Sequence, residues 1–475
     1  MLDKGLLPDF SPEAMTEVDG FESAPTASAG ARDLTSLPWA SIDNDDSLDL
    51  DQLTVAQAVP GDGVRILVAV ADVDSLVIRG DALDDHARQN TASVYTAAEK
   101  FPMLPDKLST DLTSLNFNIA RPAVVVDMTI AASGEVQQSD IYRATVRSQA
   151  KLAYNSVAAW LEGTGPQPEP IGAFPGLDQN LRLQSTVAQT MKNLRHVHGA
   201  LSLETVEAKP IFDGDRLSDL QVERKNVATD IVEDFMIGSN GVTARYLTGK
   251  GLPSMRRVVR TPKRWDRIVE LAAEHGTQLS AVPNAKSLEH FLNQQKAADP
   301  VTFPDLSLAI IKLLGPGEYV AELPGDPVEG HFGLAVKDYT HSTAPNRRFT
   351  DLITQRLLKA ALAGSAAPYS MDDLTTLASH CTEQEDAINK VERQVSKSAA
   401  ALLLESRIGE QFDALVTGAA AKGTWARLLT VPVEGKVVQG FQGLDVGQRI
   451  RVQLASVDVE RGFIDLRAFQ QRSRR

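Results

Sequence analysis

The stretch Ser41-Ile42-Asp43-Asn44-Asp45-Asp46-Ser47-Leu48-Asp49-Leu50-Asp51-Gln52 places carboxylates at Asp43, Asp45, Asp49 and Asp51 of one loop. Hard divalent cations take oxygen ligands, and one or two carboxylates together with a substrate phosphate form the usual magnesium arrangement. An EF-hand register starting at Asp43 requires glycine and glutamate where the chain has Leu48 and Thr54, so that kind of calcium loop is excluded. Aspartate and asparagine are also ordinary turn residues, and the stretch alone leaves a solvated turn and a metal-holding loop both open.

Outward from this loop, Gly63 to Val73 contains the apolar run Ile66 to Val70, which predicts a strand buried on both faces. Val124, Val126 and Met128 alternate with their neighbours, Ser133-Gly134 supplies a turn, and Ile141 to Val146 returns, predicting a hairpin. Helical spacing then dominates. Helices are predicted over Leu177 to His198, ending at Gly199; over Val227 to Tyr246, with Val227, Ile231 and Phe235 on one face and Gly249 as the stop; and from Phe349 to about Ala363. A longer one runs from Met371 to Arg407 with Ile388, Val391, Val395 and Leu402 as its apolar stripe. His196 and His198 stand two apart on the first of these, so they point to different faces and are expected in solvent, not as a chelating pair. After Ile408 come five short strands: Phe412 to Thr417, Trp425 to Leu429, Gly435 to Val438, Arg449 to Val457 and Phe463 to Leu466. Their number and length predict a small barrel of the OB type. On the other side of the acidic loop, Asp19 to Leu37 reads as an extended arm lying on the body.

The composition is that of an ordinary globular protein, with 43% hydrophobic and 23% charged residues in 475. A net charge of −14 argues against attachment to membranes or duplex DNA through the overall field, although a local basic channel can still bind phosphates. The single Cys381 can form neither an internal disulfide nor a thiolate cage and points to a reducing, cytoplasmic compartment. Apolar runs such as Ile66 to Ala71 are far shorter than the roughly 20 residues that cross a bilayer, so no membrane role is expected. No phosphate-binding P-loop, dinucleotide fingerprint or nucleophile elbow occurs.

A second element, Tyr339-Thr340-His341-Ser342-Thr343-Ala344-Pro345-Asn346-Arg347-Arg348-Phe349-Thr350-Asp351, is a turn feeding a helix, and its paired arginines suit charge on a phosphoryl centre. With the acidic loop it carries a resemblance. Val70-Ala71-Asp72-Val73, Thr91 to Tyr95, Pro102-Met103-Leu104-Pro105 through Asn116, Ile231 to Met236, and His331 to Ala335 through Leu352 follow in the same order. Together these stretches resemble the RNase II (RNB) family of 3′-to-5′ exoribonucleases over nearly everything after about residue 38.

The resemblance implies a mixed α+β RNB-type catalytic body at residues 39–407. An arm at 1–38, too short for the family's cold-shock barrels, would precede it, and an all-β OB-fold RNA-binding barrel with a basic tail at 408–475 would follow. It implies that Asp43, Asp49 and Asp51 bind Mg2+, with Mn2+ as the other candidate, and that Arg347 steadies the transition state of hydrolysis by a metal-activated water. Tyr95 corresponds to the aromatic on the 3′-terminal nucleotide, Tyr154 and Glu233 to contacts that favour ribose, and Glu392 to a glutamate near the terminal base. The implied partner is single-stranded RNA, with DNA not a substrate and no obligate protein partner. The basic end, Arg467 to Arg475, is a further candidate for contact with RNA backbone.

The sequence also departs from the family. Gln52 stands where a second adjacent aspartate is usual, which removes one charge from the metal site and puts a two-metal arrangement in question. Asp45 or Asp46 is the candidate to compensate, and Ala344 replaces a usual serine. The alternative reading is an RNB-type RNA-binding protein whose catalysis Gln52 has impaired.

Overall fold

A computed structural model describes residues 1–205, 207–213, 216–223, 225–327, 329–420 and 422–469; the basic end from 470 onward lies outside them. In chain order the elements are α1 (Pro12–Asp19), β1 (Arg32–Asp33), β2 (Ala40–Asp43), β3 (Gln52–Ala58), β4 (Val64–Ala71), α2 (Ala82–Asn90), β5 (Val94–Tyr95), β6 (Lys100–Phe101), β7 (Ala120–Ile130), β8 (Val136–Arg147) and β9 (Ala150–Ala153). Then come α3 (Tyr154–Leu161), α4 (Glu169–Ala173), α5 (Leu177–His198), β10 (Glu207–Asp213), β11 (Arg216–Glu223), α6 (Val227–Gly249), β12 (Ser254–Val258), α7 (Trp265–Glu274), α8 (Ala285–Ala298), α9 (Phe303–Leu314), β13 (Glu318–Glu322), α10 (Phe349–Ala363) and α11 (Met371–Glu405). The last five strands are β14 (Gln411–Ala420), β15 (Gly423–Leu428), β16 (Glu434–Gln439), β17 (Arg449–Asp458) and β18 (Phe463–Ala468).

Seven strands form the central sheet in the order β1-β8-β7-β4-β3-β2-β9. As its apolar run requires, β4 lies inside the sheet with Ile66 through Ala71 buried. The hairpin β7–β8 forms with its turn at Ser133-Gly134, but the expected alternation in β7 does not hold. Val124, Val125, Val126, Asp127 and Met128 are all buried, β7 being an interior strand between β4 and β8 with α6 packed against it. Burial of Asp127 is offset by Arg65 Nε at 2.8 Å and the Tyr142 hydroxyl at 3.1 Å. The helix α6 lies across β2, β4, β7 and β8 and buries Ile231 and Phe235 fully. Its start is fixed by a capping box, the Asn226 side chain accepting from the amides of Ala228 and Thr229. The segment before the sheet does more than lie on the body, since Ala14 and Val18 of α1 belong to the main core and β1 extends the sheet beside β8.

The strands β14 to β18 close a five-stranded barrel in the order β14-β15-β16-β18-β17, all antiparallel except β16 with β18. This is the mixed α/β body with an OB-type barrel that the sequence predicts. The 35-residue α11 links them: Leu374, Ala378 and Cys381 pack in the main core, and Ala401 and Leu404 pack in the barrel's core. Leu402, expected on the apolar stripe, is exposed instead, because the helix exchanges one partner for another beyond Val395 and presents Ala401 and Leu404 to the barrel. Arg427 of β15 pairs with Asp305 of α9 at 2.8 Å and clamps the barrel to the body. Among the described residues no helix is long and apolar enough to cross a membrane.

Candidate active site

Asp51 lies one residue before β3, and its carboxyl is buried. Oδ1 accepts the Asn346 amide at 2.9 Å, while Oδ2 lies 3.4 Å from Arg347 Nε and has no hydrogen-bond donor. Burial raises its pKa to about 7, against the opposing pull of the Arg347 guanidinium and the Asn346 amide. The next residue, Gln52, also leaves a buried Oε1 without a donor. A buried carboxylate oxygen with no donor fits an incoming cation, which would supply the missing partner.

Asp49 is buried and fully engaged, with Lys100 Nζ at 3.0 Å from Oδ1 and the Tyr95 hydroxyl at 3.3 Å from Oδ2. The phenol of Tyr95 is pushed upward by burial and by the Asp49 carboxylate, so it stays a neutral donor. Tyr95 remains 45% exposed, and its backbone N–H donates to Glu392 Oε1 of α11 at 2.8 Å. The same segment is laced to the arginines, since the Ser93 amide donates to Arg347 O at 3.0 Å and the Phe349 amide to Thr91 O at 2.8 Å. Direct contacts therefore join Asp49, Tyr95 and Glu392 in one set and Asp51 with Arg347 in another, and the Ser93 backbone links the two.

The remaining candidates gather around the carboxyl ends of β2 and β9. Asp43 closes β2, where it accepts from the Asn44 amide at 2.8 Å and the Ser47 hydroxyl at 3.0 Å. It stands in register with Ala153 of β9, so Tyr154, the first residue of α3, follows directly beside it. Glu233 lies two turns into α6, whose cap Asn226 bonds Asn155 at 3.2 Å, and it pairs with Lys225 at 2.5 Å. Burial would raise the Glu233 pKa, but Lys225 outweighs it and the net shift is downward.

Three sequence expectations change here. The two arginines are not a phosphate-binding pair: Arg347 keeps 42% of its side chain exposed, whereas Arg348 folds back onto the buried Asp351 with two contacts of 2.8 Å. His198 is exposed as expected, but His196 is only partly so and contacts Ala200 O at 2.8 Å and Glu289 at 2.9 Å, because α5 ends there against α8. Asp43, Asp49 and Asp51 are not gathered: among the described residues no three histidine, cysteine, aspartate or glutamate side chains stand close enough to hold a metal ion. Asp43 is held by its own loop and Asp49 by Lys100. Asp45 and Asp46 are exposed. Two participants escape the sequence reading, Lys100 and the Asn346 amide. The first was detectable only as the residue facing Tyr95 across a short turn, and the second is a backbone group with no sequence signature.

A carboxylate-lined loop at the ends of a mixed sheet, an arginine beside it and a five-stranded barrel behind define the RNB class. Residues 31–364 match the RNB domain and residues 410–468 the RNase II-type exonuclease C-terminal S1 domain, so the chain belongs to the RNB family. It is 30% identical over 409 residues to Exoribonuclease 2 of Shigella flexneri, covering 84% of this chain and 61% of that protein. To Ribonuclease R of Vibrio parahaemolyticus it is 28% identical over 433 residues, covering 88% and 51%. The chain thus spans little more than half the length of these relatives. Among solved structures, Mycoplasma genitalium RNase R in complex with ribose methylated single-stranded RNA superposes with a TM-score of 0.88 at 23% identity, covering 99% of this chain and 77% of that one.

Proposed function

We propose that this chain is a cytoplasmic hydrolytic exoribonuclease that shortens single-stranded RNA from the 3′ end to 5′-nucleoside monophosphates with Mg2+ or Mn2+. The observation that carries the reading is Asp51, a buried carboxylate with one oxygen lacking a donor and Arg347 at its side. Asp51 is the side chain placed to hold the ion, and Asp49 and Asp43 would join it only on giving up Lys100 and the Asn44 and Ser47 donors respectively. When bound, the ion supplies charge neutralisation on phosphate oxygens and acidifies water for in-line attack. Arg347, tethered to Asp51 and half exposed, offers its guanidinium to the phosphoryl group as charge grows there. Tyr95 presents a ring for stacking under the terminal nucleotide, and Glu392 holds its backbone in place. Tyr154 and Glu233 are the candidates for ribose contacts; a group satisfied only by a 2′-hydroxyl is left unpaired when DNA enters.

The neutral Gln52 and the separated carboxylates favour a second reading, an RNA-binding protein with impaired catalysis. A time course on 5′-labelled single-stranded RNA with Mg2+, Mn2+ or chelator, beside matching DNA and Asp51→Asn, decides between them. Metal-dependent shortening from the 3′ end, confined to RNA and lost in the variant, is expected. RNA binding without cleavage under either ion would establish the second reading instead.

A further inference from the structure

The hairpin that carries Tyr95 has little hold on itself. Its strands β5 and β6 are two residues each, pairing Val94 with Phe101 and Tyr95 with Lys100, and a two-stranded hairpin is marginal in water without a face to pack on. That face comes from segments distant in the chain. Val94 is buried in a small cluster with Leu6, Ile388 and Val391, against which Met1 and Phe101 also pack. Val94 and Val391 immediately precede Tyr95 and Glu392, the partners of the hydrogen bond that fixes the Tyr95 backbone. Leu6 thus sits with the neighbour of each partner.

Leu6 is itself held on both sides. Residues 2–4 form a helical turn that ends at Gly5, whose left-handed φ of 74° redirects the chain. The Asn90 side chain, buried at the end of α2, grips the Leu7 backbone twice: Oδ1 accepts the Leu7 amide at 2.8 Å and Nδ2 donates to Leu7 O at 2.8 Å. Gln89 Nε2 adds a bond to Gly5 O at 2.9 Å. From Asn90 the chain runs straight through Thr91 and Ser93, both bonded to the Arg347 segment, into Tyr95.

We propose that Leu6, buckled to α2 through Asn90, is a positioning residue: it wedges β5 against α11 so that the Tyr95 ring is presented to the 3′-terminal base of RNA. The inference rests on the assignment of Tyr95 to that base and adds a residue outside the site on which the assignment depends. Shortening Leu6 empties volume in a small cluster, and β5, with only two paired residues, is the member free to shift into it.

The test uses the full chain, in chelator so that nothing is cut, and an RNA oligonucleotide with 2-aminopurine as its 3′-terminal base and a dye at its 5′ end. Stacking on an aromatic ring quenches 2-aminopurine, whereas anisotropy of the dye reads overall binding. Wild type is expected to quench, and Tyr95→Ala to lose the quenching. Leu6→Ala should keep less than about half of it and bind the RNA about tenfold more weakly, the scale of one stacked base. In the Tyr95→Ala background Leu6→Ala should change binding by less than about twofold, which a general loss of fold would not do. Leu6→Met, which conserves volume, should behave as wild type; Leu6→Val should fall between, and it serves if Leu6→Ala does not fold. Wild-type quenching in folded Leu6→Ala or Leu6→Val would overturn the inference, as would an equal loss of binding from Leu6→Ala with and without Tyr95. Either result leaves the Tyr95 assignment standing. Undiminished quenching in Tyr95→Ala would instead sink that assignment, and this inference with it.

Discussion

Arg347 and Arg348 are chemically identical neighbours with opposite fates. Arg347 is half exposed and leans on Asp51, so its replacement by alanine should cost at least about 100-fold in turnover while changing stability by less than about 1 kcal/mol. Arg348 offsets the charge of Asp351, which is fully buried and also accepts the Ala344 amide at 2.8 Å. Arg348→Ala strands that carboxylate and should lower unfolding stability by about 3–5 kcal/mol. Urea melts beside single-turnover rates separate the two; equal stability losses would show that the division of roles is wrong. Sequence could place both arginines near a phosphate but could not divide them, because the division depends on a buried carboxylate three residues on. Lys100 was hidden for a similar reason: strands of two residues carry no periodic signal.

Among the elements, those closed by a local rule were legible. The helices α5 and α10 have the predicted bounds, since Gly199 and Gly364 adopt left-handed conformations that end them. Elements whose environment is set at a distance were not. The alternation read into β7 could not reveal that both of its faces would be buried in the interior of the sheet, and the stripe of α11 could not reveal a change of partner along its length. The contact between α11 and the β5–β6 hairpin yields its own prediction. Glu392→Ala removes the acceptor of the Tyr95 amide, a charged hydrogen bond worth about 1.5–3 kcal/mol, and should raise KM for RNA about tenfold with kcat altered less than about threefold. Steady-state kinetics check this, and a purely kcat effect would contradict a positioning role.

At the scale of the whole molecule, body and barrel were both visible in the sequence, whereas the coupling between them was not. Acid sensitivity is also a property of the assembled fold. Burial pushes His86, packed against Phe10, down to about 4, and does the same to His331. An unfolded histidine protonates near 6.5, so between about pH 6.5 and 4 the unfolded chain binds more protons than the folded one. Their contribution to stability is full above about 6.5 and is lost as the pH falls toward 4, amounting to about 3 kcal/mol for His86. Denaturant unfolding at a series of pH values should show this slope, reduced by about one proton in His86→Gln; an unchanged slope would refute the assignment.

The helix α11 contains neither glycine nor proline along its 35 residues, so it behaves as a stiff rod. With Cys381 lodged in the body core as fulcrum, Glu392 sits about 17 Å along it and Leu404 about 35 Å, at 1.5 Å per residue. By simple leverage, displacing the barrel end by 1 Å swings Glu392 by about half as much. Whatever pulls on the barrel is thereby felt, at reduced amplitude, by Tyr95, whose amide Glu392 holds.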